Sequence, residues 1–151
     1  MAKGDLHAVI RLTKREVDDL RRHLGERLRE EQALMEQDQR LDEALAREAG
    51  VADAEPAAAY TFANYLEVHR RHKQAVAEGL AAVRARIDAV REALAEVYRR
   101  LKTYELAQEA RDARAAEEQA RKDQAVLDEV ALTMHRQRQD EEDEEDGTRT
   151  G

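Results

Sequence analysis

From Val76 to Tyr104 the large apolar residues alternate steps of four and three without a miss: Val76, Leu80, Val83, Ile87, Val90, Leu94, Val97, Leu101 and Tyr104. A strict seven-residue repeat keeps one apolar seam along a helix and does not fit the period of a strand. Phe62, Leu66 and His69 extend the phase backwards. Such a seam has to be covered, and composition excludes a thick globular core as the cover. Of 151 residues 40% are charged and only 3% aromatic, with one Phe and no Trp. That is the composition of long helices and coiled coils.

A second amphipathic stretch precedes the first. Over residues 5–49 the positions Leu6, Ile10, Val17, Leu20, Leu24, Leu28, Leu34, Leu41 and Leu45 recur at helical spacing, with Asp5 as N-cap. Heptad phasing also places Thr13, Arg27, Glu31 and Asp38 on the seam, so it must drift or tolerate polar layers. Between the stretches, residues 50–56 carry Gly50 and Pro56, the usual helix stop and start. The expected fold is therefore all-α: an antiparallel two-helix coiled coil, a long α-hairpin whose second helix overhangs the first. Helix one covers about residues 5–49, the loop 50–56 and helix two about 57–138. In this register Leu45 faces Phe62, Leu6 faces Leu101, and Leu94 lies near residue 13.

Past Tyr104 the phase lands on Gln108 and Arg111, and the segment 107–125 offers no apolar residue larger than alanine until Val126, Leu127, Val130 and Met134 restore an apolar face. Residues 140–146 are an unbroken acidic run. Like charges at i,i+4 and negative charge at a helix C-terminus both disfavour the helix, so fraying near Arg138 and a disordered acidic tail over 140–151 are expected. Residues 1–139 then form a single hairpin domain.

The formal net charge is −8, of which the acidic run supplies most, so the body is nearly neutral and carries no field that would draw in nucleic acid. The chain has neither cysteine nor serine, which leaves six threonines as the only hydroxyl or thiol nucleophiles of that kind. There is no glycine-rich phosphate loop, no run long enough to span a membrane and no secretory start, so a soluble, non-enzymatic, cofactor-free intracellular protein is expected. His69 and His72 lie i,i+3, but a metal needs further ligands from elsewhere. The cluster His69-Arg70-Arg71-His72-Lys73 has three readings: phosphate binding, salt bridges to acids such as Glu36 and Asp38, or a docking surface. The Val-and-Leu seam of 76–104 also suits a parallel homodimer, against which stands helix one, tethered at high effective concentration.

Three stretches resemble the FliJ family of the bacterial flagellar type III export apparatus. They are Leu6 to Leu24 with Arg15-Glu16-Val17-Asp18-Asp19; Phe62-Ala63-Asn64-Tyr65-Leu66; and Leu101-Lys102-Thr103-Tyr104-Glu105 with Lys122-Asp123-Gln124-Ala125-Val126-Leu127-Asp128-Glu129. The resemblance implies a coiled coil like the central stalk of rotary ATPases, seated in the hexameric export ATPase FliI and linked to the export gate protein FlhA. Binding of export chaperones and a place at the cytoplasmic face of the inner membrane, held there by partners, are implied as well. It implies a gate-facing set of Phe62, Tyr65, Leu66 and His69, of which Phe62 and Leu66 also fit the seam while Tyr65 lies one step off it. It implies an ATPase-facing set of Arg15, Val17, Asp18, Val126, Leu127, Asp128, Glu129, Val130 and Met134. The alternative is a homodimeric scaffold or an injectisome stalk relative.

Overall fold

The structure, a computed structural model, describes residues 5–150; residues 1–4 and 151, counted above in the hairpin and the tail, lie outside it. Two helices account for nearly all of it: α1 (His7–Ala54) and α2 (Ala59–Arg149). No strand occurs among the described residues. The two helices pack against each other as a helical hairpin. Two units can be distinguished, one of residues 8–103 and one combining 5–7 with 104–150.

Within the unit of residues 8–103 the core is a narrow seam. Val17, Val76, Val83, Ile87, Leu94 and Val97 are buried. Val17, Leu94 and Val97 form a cluster with Leu20, Leu24, Val90 and Leu101 packed around it. Every α2 residue here belongs to the heptad run, so the repeat places the core. The polar seam positions of α1 do not make the seam drift. Thr13 is buried and donates its hydroxyl to the Val9 carbonyl at 2.8 Å, which satisfies it within its own helix. Arg27 pairs with Glu30 on its own helix, Glu31 with Arg84, and Asp38 with Lys73. Each seam charge thus has a partner, as a partly desolvated charge requires.

The pairing runs one heptad away from the register expected from sequence. Lys73 Nζ lies 2.7 Å from Asp38 and 2.9 Å from Asp42, Arg84 reaches Glu31 at 2.9 Å, and Arg100 reaches Glu16 at 2.9 Å. Leu94 accordingly packs on Val17 rather than near residue 13. The cause is at the turn. Gly50 does not stop α1, which continues to Ala54, and α2 starts at Ala59 rather than at 57. Glu55, immediately before Pro56, is the first non-helical residue, consistent with the steric bar on helical backbone before proline. The Glu55 N–H closes onto the Val51 carbonyl at 3.0 Å, and the Ala58 carbonyl accepts the N–H of Phe62 at 3.1 Å and the Thr61 hydroxyl at 2.9 Å. Extending α1 by five residues and delaying α2 by two moves the pairing by seven, which leaves the same seams face to face.

In the other unit, Asp5 caps α1 as expected, its Oδ1 accepting the His7 N–H at 2.9 Å. The Leu6 N–H is taken at 2.8 Å by the side-chain oxygen of Gln108, which is buried and whose Nε2 donates to Asp112. Leu6 therefore meets Gln108 and not Leu101. Every described residue from Glu109 onward is exposed. α2 runs past Arg138 and through the acidic run to Arg149. Glutamate has good intrinsic helix propensity, and each like-charge pair costs only a few tenths of a kcal/mol, so repulsion of this size does not by itself end a helix.

The two acids that engage Lys73 alter its chemistry. Hydrogen bonds to Asp38 and then Asp42 hold its pKa above the ordinary lysine value of 10.5. A cation whose pKa is raised on folding contributes its full stability below the unfolded value and loses it as pH climbs through the folded one. Hairpin stability should therefore decline above about pH 10.5, and Lys73→Met should flatten that alkaline limb in melts taken from pH 9 to 12. An identical limb in the variant would assign the decline to other groups, such as the tyrosines.

Candidate interaction surfaces

Among the described residues no group of three or more His, Cys, Asp and Glu is arranged to hold a metal. The functional reading has to come from surfaces.

The first lies beside the turn. Phe62, Tyr65 and His69 occupy successive turns of α2, and their rings stack in series: Phe62 on Tyr65 at 6.4 Å and 11°, Tyr65 on His69 at 6.4 Å and 20°. These separations suit offset aromatic pairs. All three are half-buried, while Leu66 is 37% exposed. Near the turn the seam thus passes through Tyr65 rather than Leu66, because the step from His69 back to Tyr65 is four, not three. The His69 side chain is only 10% exposed, its Nε2 lies 3.9 Å from Asp42 Oδ1, and its Nδ1 has no hydrogen-bond partner. Val51, Ala52, Ala58 and Thr61 join Phe62 and Tyr65 in lining a shallow groove. Tyr60, at 88% exposed, stands free nearby in sequence; nothing in the heptad pattern singled it out.

The basic cluster next to this stack resolves in favour of salt bridging. Lys73 is engaged by Asp38 and Asp42, whereas Arg70 and Arg71 lie over Glu67 of their own helix. Glu36 takes no part; it accepts a hydrogen bond from Gln32.

The second set divides between the two units. In residues 8–103, Arg15 and Asp18 are exposed, but Val17 is 5% exposed and sits in the core cluster, so its side chain is not available to a partner. In the other unit Val126 and Leu127 are 62% exposed, Val130 50% and Met134 55%. Spacings of three and four align Leu127, Val130 and Met134 on one face, with Val126 beside them. Asp128 and Glu129 are exposed too, with the Gln124 amide donating to Asp128 at 2.9 Å. Leu132, 50% exposed, points away from that face and was not among the expected residues.

No helix among the described residues is long and apolar enough to cross a membrane. Comparison with curated proteins and with solved structures gives no match. The family model described as flagellar FliJ protein matches residues 2–140, which takes in all of α1 and α2 as far as residue 140, where the acidic run begins. With nearly the whole chain matched and a helical hairpin as its fold, this protein belongs to the FliJ family and is a component of the flagellar export apparatus.

Proposed function

We propose that the chain is a non-enzymatic stalk and adaptor of flagellar protein export, seated in the hexameric export ATPase FliI and linking it to the gate protein FlhA at the cytoplasmic face of the inner membrane. The observation that carries this reading is the exposed apolar face of Leu127, Val130 and Met134 with Val126, on a long helix of a FliJ-family chain. An apolar face left open along a charged helix is most useful against another protein. We assign it, with Asp128, Glu129, Arg15 and Asp18, to the ATPase. Val17, the remaining member of the expected set, packs in the seam beneath Arg15 and Asp18 and is assigned a supporting role for those two alone. Phe62, Tyr65, Leu66 and His69 are assigned to the gate, with Leu66 the most exposed of the four. Export chaperones remain further candidates for these surfaces. Residues 1–139 act as one working unit, and the acidic run stands outside it.

The test is capture of the purified hexameric ATPase on immobilised full-length chain. Leu127→Asp combined with Val130→Asp should weaken capture by tenfold or more, since two buried apolar contacts would become buried charges. Undiminished capture by this variant would move the ATPase site elsewhere. A chain that captures no ATPase and scatters light as a 34 kDa particle, about twice the 17.2 kDa monomer, would favour the homodimeric scaffold.

A further inference from the structure

The turn contains a stop and a start that the hairpin does not use. Gly50 keeps ordinary helical backbone in the interior of α1, with open space where a Cβ would be, and Pro56 lies three residues before α2 begins. A glycine one residue past a helix end and a proline at the first position of the next are the features that would close a hairpin with helices ending at 49 and starting at 57. Such a hairpin differs from the observed one by seven residues. Both seams repeat every seven over residues 13–45 and 73–101, so that displacement brings the same faces back together.

We infer that the hairpin of residues 8–103 has a second register one heptad away, in which α1 ends at Gly50 and slides about 10 Å along α2. The side chains mark both positions. Lys73, a cation on the α2 seam, now holds Asp38 and Asp42. One heptad back along the same α1 seam stands Glu31, so the shifted hairpin offers Lys73 another acid. Gly79, where an added Cβ would lie 3.4 Å from Leu34, would face Arg27 instead. The shift would break the pairs of Arg84 with Glu31 and Arg100 with Glu16 and would carry Asp42 away from His69. Those polar pairs favour the observed register, and so does Leu34, whose place opposite Gly79 the shift would give to Arg27. The inference stands on the hairpin alone and does not depend on the stalk reading.

The absence of native cysteine makes the registers separable by disulfide trapping in the full chain. Leu34→Cys with Gly79→Cys reports the observed register, and Arg27→Cys with Gly79→Cys the shifted one. Leu20→Cys with Gly79→Cys fits neither and is the control. Under mild oxidation at low protein concentration, the first pair should close fastest and the second measurably faster than the control, each as a monomer by mass. Adding Arg84→Ala and Arg100→Ala should raise the closure rate of the second pair several-fold. Gly50→Ala should lower it about fivefold, because alanine favours continued helix where the shifted turn needs glycine. Circular dichroism of each reduced variant establishes that it is helical before oxidation, and Met35→Cys with Gly79→Cys repeats the first measurement should Leu34→Cys unfold the chain. Closure of the Arg27 pair no faster than the control, or insensitivity of its rate to both the Arg and the Gly50 changes, would overturn the second register.

Discussion

Leu94→Ala should lower the melting temperature of the hairpin by about 10 °C or more. Leu94 is 8% exposed and packs with Val17 and Val97 in a cluster of the seam. Truncating a buried leucine to alanine costs about 2–5 kcal/mol, the lost transfer energy plus the cavity left behind. For a unit of about a hundred residues, each kcal/mol moves the midpoint by roughly 4–8 °C. A two-helix seam has no second layer to collapse into the cavity, which keeps the cost from being relaxed away. Leu127→Ala is the matched control. Leu127 is 62% exposed, and alanine is at least as good a helix former, so its midpoint should stay within about 2 °C of the parent. Thermal melts followed at 222 nm decide between the two. Equal losses would mean that Leu127 is packed in solution as firmly as Leu94.

The contrast between those leucines was legible in the sequence, because a seven-residue repeat is a statement about burial. The run from Val76 to Tyr104 names the α2 seam, and its end foretells that little beyond is buried. Register was less accessible for the same reason. A periodic seam fixes which face is covered but not which heptad meets which, so the turn had to decide, and Gly50 with Pro56 pointed one heptad short. Charge could have corrected this. Placing Lys73 on Asp38, Arg84 on Glu31 and Arg100 on Glu16 at once is possible in one register only. The surfaces were legible to different degrees. Val126, Leu127, Val130 and Met134 stood out as apolar residues with no partner left in the chain. Val17 was drawn into the ATPase-facing set by its motif, although its own heptad position already placed it inside. Leu66 and Tyr65 exchanged roles because a single four-residue step near the turn rotates the seam by part of a turn, which no local property of either side chain reveals.

On the proposed stalk reading, truncation after Asp112 should leave the melting transition of residues 8–103 nearly unchanged while abolishing capture of the export ATPase. The cut spares Gln108, which receives the Leu6 N–H, and Asp112, which receives the Gln108 amide, so the contacts at the N-terminus of α1 survive. Every residue it removes is exposed among those described, hence none supplies burial energy to the seam. What it does remove is the face of Leu127, Val130 and Met134, the largest unpartnered apolar feature on α2. Deleting only residues 140–151 provides the comparison. That segment has no apolar anchor and, but for residue 140, lies beyond the match to the FliJ family, so capture should persist, at most with a different salt dependence, because rim charges alter encounter rates more than affinity. Undiminished capture by the chain cut after Asp112 would place the ATPase contact on residues 8–103, with Arg15 and Asp18 the first positions to test. A large fall in melting temperature would instead show that residues 113–139 stabilise the hairpin itself, and the assignment of their apolar face to a partner would fall with it.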